Sequence, residues 1–450
     1  MLSLLISLIG VLITILLVVG VHELGHFLVA KCLGIKVLRF SIGFGKALLT
    51  WHDKSGTEYV LAAIPLGGYV KMLDENEGPI EAFEVSQTFN RQPFYKKMAV
   101  IAAGPFSNLL FAFILYWILF TVGFVSVAPI IGNVTLHSIA EQSGLKPQQE
   151  IVKIGNQKTT GWTTVVITLL LHAGDNKNLP IELKNPDSKT QISNVDLTNW
   201  HLNHLRPDSL ASLGIAPYEP FIPPVIGKEV LDGPAKQAGL KSGDKILSIN
   251  NKPIKDWYDV VEQTQAHPGE VLPFQVERGK EKLLIEVSIG SKSNFFAEKT
   301  GFLGVSPAFE YPKELLRHNK YNPIAATGHA WQDVMLFTDM NFVILAKMFM
   351  GKISLQSLGG PITIFESAGT ALNNGILSFL SFLAFLSISI GIINVVPIPG
   401  LDGGHLLFQF IEMIMRRPLS EKTMMLFYRL GMIFLLLIMV TAFVNDVLRL

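Results

Sequence analysis

The sequence predicts an α-helical polytopic membrane protein of about four transmembrane helices, with a re-entrant β-hairpin region and two tandem α+β modules. Three observations carry that expectation. Four long apolar segments hold almost no charge, and a bilayer core needs about twenty such residues to be crossed by a helix. Only 16% of the 450 residues are charged while 49% are hydrophobic, against about a quarter charged in soluble globular chains. Between the second and third apolar segments a polar, loop-rich stretch repeats itself once. A wholly soluble enzyme and a wholly lipid-buried protein are both excluded. With 37 Lys+Arg against 36 Asp+Glu, the net charge of +1 leaves no basic footprint for nucleic acid. The single cysteine, Cys32, rules out an internal disulfide and reads as an unreactive, partly buried thiol.

Leu2 to Val21 carries no charge and runs straight into His22 and Glu23, giving a first transmembrane helix over residues 1–32. It lacks a charged leading region and a small-residue cleavage site, so it reads as a retained span and not a signal peptide. Residues 33–97 form a membrane-associated β region on the cytoplasmic side. Its β-prone runs, Phe40 to Lys46 and Tyr59 to Ala63, flank the turn residues Asp53-Lys54-Ser55-Gly56. Gly43, Phe44 and Gly45 lie in the first run, and Gly67, Gly68 and Tyr69 follow the second. Hairpin turns and bulges account for these glycines nearly as well as a functional role does.

Residues 98–127 make the second transmembrane helix, with Gly104-Pro105 near its start. The repeated modules occupy 128–220 and 221–309. An amphipathic connection over 310–366 follows, its aromatics reading as membrane-surface anchors. The third transmembrane helix, 367–410, is longer than a span requires, and the fourth, 423–446, is interrupted by Arg429, which can snorkel. Basic residues cluster after the first span (Lys31, Lys36, Arg39, Lys46), before the second (Lys96, Lys97) and between the last two (Arg416, Arg417). The positive-inside rule therefore puts those loops in the cytoplasm, and both termini and the modules on the far side.

One constant offset carries Ile131-Gly132 onto Ile226-Gly227, Gly144-Leu145-Lys146 onto Gly239-Leu240-Lys241, and Trp162 onto Trp257. Each unit reads as a strand, a turn, a short helix ending at Gly-Leu, and a second strand such as Lys245 to Asn250. The second copy, with Gly239-Leu240-Lys241-Ser242-Gly243-Asp244, resembles a PDZ domain; in the first, Pro147-Gln148-Gln149 replaces Ser-Gly-Asp. PDZ folds bind peptides by adding a strand to a sheet edge. Spacers that restrict access to the membrane part are an equal reading.

The chemistry concentrates in His22-Glu23-Leu24-Gly25-His26. On a helix, residues four apart lie one above the other, so both imidazoles can reach one Zn²⁺, with Glu23 beside them as general base. Ionisable groups on a span cost about 2.5–3.5 kcal/mol each, so three together imply a polar or metal site. A third ligand is required, and His52, His405 and Asp402 are the candidates. Depth favours Asp402: twenty residues of helix place the histidines about 30 Å along the first span, and Asp402 lies similarly far along a span running the same way. Pro397 and Pro399 break the helix just before it, which is tolerated only beside a cavity. His405, three residues on, can instead donate to a ligand or serve packing.

Together, the His-Glu-x-x-His, the stretch Asn394-x-x-Pro397-x-Pro399-x-x-Asp402-Gly403, and the tandem PDZ-like units resemble the site-2 intramembrane metalloproteases over nearly the whole chain, with no departure at a catalytic position. The resemblance implies Zn²⁺ held by His22, His26 and Asp402, Glu23 as general base, and substrate contacts from Asn394, Pro397 and Pro399. It further implies that the Gly43-Phe44-Gly45 and Gly67-Gly68-Tyr69 segments hold an unwound substrate extended. The implied substrates are single-pass transmembrane proteins already shortened by another protease, such as an anti-sigma factor in envelope stress signalling, and remnant signal peptides. The implied place is the bacterial inner membrane, in contact with the lipid bilayer, with the PDZ-like units periplasmic. Two alternatives come from other classes. A membrane-anchored PDZ scaffold with a non-catalytic metal site is opposed by the four intact site residues, and a transporter by the lack of inverted repeats.

Overall fold

A computed structural model describes residues 2–75, 80–81, 83–175, 177–198, 200–202, 208–229, 233–292, 299–351, 353–357, 359–417 and 419–449. Leucine-rich and β-branched sequence, uncharged as far as Val21, makes α1 (Leu2–Cys32) continuous over 31 residues, about 46 Å at 1.5 Å per residue. Its large side chains Leu5, Leu8, Leu12 and Leu16 remain exposed, as a surface facing lipid tails requires. Cys32 closes the helix and is exposed. The expectation of a partly buried thiol is therefore corrected: the chain turns at Gly34, which takes positive φ, and leaves the Cys32 side chain on the outer side of the helix end.

The next two strands, β1 (Val37–His52) and β2 (Glu58–Met72), make one hairpin folded on itself. Phe40 pairs with Val70 on one side and Tyr59 on the other, and Ser41 with Tyr69 and Val60. The order across the sheet is thus the end of β2, the start of β1, the start of β2, the end of β1. The fold-back needs sharp bends, supplied where Gly43, Gly45 and Gly67 take positive φ. Phe40 to Lys46 is therefore a strand that bends at its glycines, and both strands extend beyond the runs read from the sequence.

Pro93 precedes α2 (Phe94–Val122), which ends at Gly123 with φ +93°. Phe124 to Val127, expected as helix, is instead strand β3 (Phe124–Val127), because the glycine stops the helix and a partner strand is available from residues 316–319.

The first module runs β4 (Ile131–Val134), α3 (Ile139–Gln142), β5 (Glu150–Ile154), β6 (Gln157–Lys158), α4 (Trp162–Leu171), β7 (Asn178–Lys184), β8 (Thr190–Asp196), α5 (Ser209–Leu213) and β9 (Ile215–Pro217). The second runs β10 (Ile226–Glu229), α6 (Pro234–Gln237), β11 (Lys245–Ile249), β12 (Lys252–Pro253), α7 (Trp257–Gln265), β13 (Val271–Arg278), β14 (Glu281–Ser288), β15 (Gly290–Lys292), β16 (Thr300–Phe302) and β17 (Val305–Pro307). Their sheets have the same order, β6-β5-β7-β8 and β12-β11-β13-β14, and β4 pairs β9 as β10 pairs β17. The repeat in sequence is a repeat in topology.

The copies differ at a buried polar position that follows the Gly-Leu-Lys of each. In the second, Asp244 is fully buried, accepts from the Lys241 amide at 2.8 Å and pairs with both Nε and Nη2 of Arg278 at 2.8 Å. In the first, Gln149 accepts from the Lys146 amide at 2.8 Å and donates to Asn185 at 2.7 Å. Burial pushes the Asp244 carboxyl up, but Arg278 and the Lys241 amide outweigh it and hold the carboxyl below its ordinary value. A depressed folded value contributes stability above the unfolded pKa, and this is lost as pH falls through the folded one. Asp244→Asn is expected to destabilise the second module by about 3 kcal/mol, the low end for breaking a buried pair, since Arg278 is a third exposed. Hydrogen exchange at neutral pH should then show amides of β11–β14 opening roughly 100-fold more often, with β5–β8 unchanged. Exchange of β11–β14 unchanged from the parent would show that the pair stabilises nothing.

The chain returns through β18 (Leu316–Asn319), paired with β3, into α8 (Pro323–Phe349) and α9 (Pro361–Asn373). The connection over 310–366 is thus largely helical. The uncharged stretch from Ser367 to Leu401 is not one helix: it holds the end of α9, a break at Asn374-Gly375, α10 (Ile376–Val395) and a non-helical loop, after which α11 (Asp402–Met415) begins. The last helix is α12 (Glu421–Arg449). Among the described residues, α1, α2, α10 and α12 are the four helices long and apolar enough to cross a membrane.

Leu115, Leu119 and Phe120 of α2 pack with Ala326, Ala330 and Val334 of α8 and Leu383, Ala384 and Ile388 of α10. The first module is fastened to this bundle by Lys347 of α8, whose Nζ donates to Leu171 O at 2.6 Å and meets Asp175 at 3.1 Å. At the far end of α12, the Asp446 carboxylate accepts from the Gly360 and Ile362 amides at 2.8 Å and the Thr363 amide at 3.1 Å. That caps α9 and ties it to the last span.

Candidate metal centre

One helical turn separates His22 from His26, and both side chains are buried on α1, 8% exposed each. Their Nε2 atoms are 3.3 Å apart. Asp402 arrives from the first turn of α11, its Oδ2 3.0 Å from His22 Nε2 and 3.4 Å from His26 Nε2. α10 stops at Val395 and the proline-broken loop over 396–401 turns the chain, so the carboxylate points back at α1. Among the described residues Oδ2 is buried and no group donates to it in hydrogen-bond geometry. An orphaned carboxylate oxygen beside two imidazole nitrogens is costly unless a cation lies between them.

The donor set fits zinc. Ligands about 2.0–2.1 Å from a tetrahedral ion lie about 3.3–3.4 Å from one another, close to the three separations above. Two histidines and one carboxylate also leave a fourth position open. His22, His26 and Asp402 form the one cluster of three such donors among the described residues.

His405 is not in the cluster; its ring faces Tyr428 of α12, with Nδ1 3.2 Å from the phenol oxygen. His52 ends β1, paired with Glu58 across the hairpin. Glu23 is 9% exposed and is approached by the hairpin: a Cβ on Gly68 would lie 2.7 Å from Glu23 Cγ, so only glycine lets β2 run this close to the carboxylate. Gly68 and Tyr69 lie on the outer strand of the folded hairpin, and Phe44 stacks on Tyr69 at 6.1 Å. Asn394 is half-buried in the last turn of α10, Pro397 is exposed and Pro399 half-buried.

The wall opposite α1 was missed in the sequence. It is a stripe along α2: Val100, whose carbonyl lies 2.8 Å from His26 Nδ1; Gly104, where a Cβ would fall 2.3 Å from His26 Nε2; and Asn108, whose amide is 3.3 Å from His22 Nδ1. The four-residue spacing was legible as one helix face. Nothing in an apolar span marks which face meets the histidines.

A membrane-embedded His-His-Asp cluster with an adjacent carboxylate defines a metallopeptidase. The family model for Peptidase family M50 matches residues 10–438. A putative zinc metalloprotease of Vibrio cholerae is 36% identical over 436 residues, covering 96% of each chain. The regulator of sigma E protease of Salmonella typhi is 39% identical over 456 residues, covering 100% of each. The regulator of sigma-E protease RseP of Escherichia coli is 38% identical over 447 residues, covering 98% of this chain and 97% of that one. The chain belongs to peptidase family M50. It is a zinc metalloprotease of the membrane.

Proposed function

We propose that this chain cuts the apolar segments of single-pass membrane proteins at a zinc site held by His22, His26 and Asp402, with Glu23 as general base. The observation that carries the reading is the convergence of three metal-ligating atoms within 3.0–3.4 Å, about 30 Å along an apolar helix. Zinc, when bound, polarises a carbonyl and makes water a competent nucleophile near neutral pH. Glu23 takes the proton of the attacking water and passes it to the leaving amine. The sheet edge ending in Gly68 and Tyr69 holds the unwound substrate as an added strand, and Asn394 with the Pro397–Pro399 loop contacts it from the other side.

Relatives named as regulators of sigma E support an anti-sigma factor as one substrate, in a bacterial inner membrane; remnant signal peptides are the second substrate class of this proposal. The two modules are PDZ-like, lie outside the cytoplasm with both termini, and restrict which substrates reach the site. The test is cleavage in vesicles. A single-pass reporter should be cut inside its apolar segment, a chelator should stop the reaction, and zinc should restore it. Cleavage confined to the flanks outside the bilayer would refute the proposal.

Gly67 offers a separate check of strand capture. It takes φ +143°, and a Cβ there would lie 2.5 Å from the Phe44 ring. Gly67→Val is expected to slow cleavage of stable helical segments about tenfold, the scale of 1–3 kcal/mol of local strain. Segments carrying helix breakers should be less affected, since they need less unwinding. Equal slowing for both, with zinc lost, would mean damage to the site.

A further inference from the structure

The two histidines of the cluster are held differently by α2. His26 Nδ1 faces the Val100 carbonyl at 2.8 Å. A carbonyl only accepts, so that nitrogen carries the proton and Nε2 keeps its lone pair for a metal. His22 Nδ1 faces a side-chain amide instead, with Nδ2 of Asn108 turned toward it at 3.3 Å. For His22 to offer a lone pair at Nε2, beside Asp402 and His26, its proton must sit on Nδ1. An amide NH₂ would then set donor against donor.

A half-turn of the Asn108 amide removes the conflict by bringing Oδ1 to Nδ1–H. The oxygen and nitrogen of an amide have nearly the same shape and are assigned from their bonding partners. Among the described residues the turn breaks no bond of Oδ1, which is buried and has no partner there. The main chain at Asn108 is held independently, its carbonyl accepting from Ser387 Oγ of α10 at 2.9 Å.

We infer that Asn108 is a positioning residue whose side-chain oxygen fixes His22 as the Nδ1–H tautomer and so presents Nε2 to the metal. Val100 O does the same for His26, which makes the Val100-Gly104-Asn108 face of α2 the outer half of the metal site. The inference rests on the zinc reading proposed above.

Asn108→Asp and Asn108→Leu, both close to asparagine in size, separate an acceptor from a packing role. Zinc affinity of the full-length protein is measured by competition with a chromophoric chelator, alongside the thermal midpoint of the metal-free form. Asn108→Leu should bind zinc about 10–100-fold more weakly, the usual loss when a partner behind a ligand is removed. Asn108→Asp, which keeps an acceptor, should stay within a few-fold of the parent. Asn108 Cβ packs near Gly391, so if leucine lowers the metal-free midpoint, Asn108→Ala supplies the acceptor-less variant without added bulk and should show the same loss. Parent-like affinity in the acceptor-less variant, or equal loss in it and in Asn108→Asp, would overturn the inference. A parent that takes up no zinc would overturn the site reading itself.

Discussion

Replacing Glu23 with glutamine is expected to lower cleavage of a transmembrane reporter by a factor of about 10²–10⁴, the usual contribution of a positioned general base, with zinc content unchanged. The amide has nearly the volume of the carboxylate, so the approach of Gly68 to Glu23 Cγ at 2.7 Å for an added Cβ is preserved. Only the capacity to take a proton is removed. Glu23 is also absent from the three-donor cluster, which is why metal should stay. Turnover of the reporter and zinc per chain, measured on one preparation, check both halves. A variant of undiminished activity would remove Glu23 from the chemistry, and a variant stripped of zinc would make it a ligand.

Asp402→Ala should cost both zinc and proteolysis, whereas His405→Ala should retain zinc and much of the activity. Asp402 Oδ2 lies 3.0 and 3.4 Å from the two histidine nitrogens, and its removal leaves two imidazoles to hold the ion. The loss of affinity should exceed the roughly 100-fold typical of a partner behind a ligand. His405 stands three residues along the same helix, yet its ring is engaged with Tyr428 of α12 at 3.2 Å. Its substitution should loosen the contact between α11 and α12 and leave the ion in place. Zinc retained in the Asp402 variant and lost in the His405 variant would exchange their roles.

His22 and His26 were legible because residues four apart on a helix share a face whatever the rest of the chain does. The break before Asp402 was legible for a similar reason, since Pro397 lacks the N–H a helix needs. The ends of the spans were less so. Hydropathy does not distinguish an apolar strand from the last turns of an apolar helix, so Phe124 to Val127 was expected to be helical and pairs instead with β18. Likewise, Ser367 to Leu401 carries no charge to show that α9 ends at Asn373 and α10 begins at Ile376.

The glycines of the hairpin show the limit most plainly. Gly43, Gly45 and Gly67 could be named from the sequence but not explained by it. Whether a glycine serves a bend or a close approach depends on what lies across from it, and the fold-back that puts Phe40 between Val70 and Tyr59 is a pairing distant in sequence.

Local rules thus determined the class of this protein: apolar length made the spans, helical periodicity aligned the two histidines, and an unbroken register revealed the doubled module. Tertiary structure alone decided the partners. Gly68 against Glu23, and Val100 and Asn108 behind the imidazoles, each join segments far apart in the chain. Such choices are made by which helix faces pack together, and a face that is apolar all round does not record its neighbour.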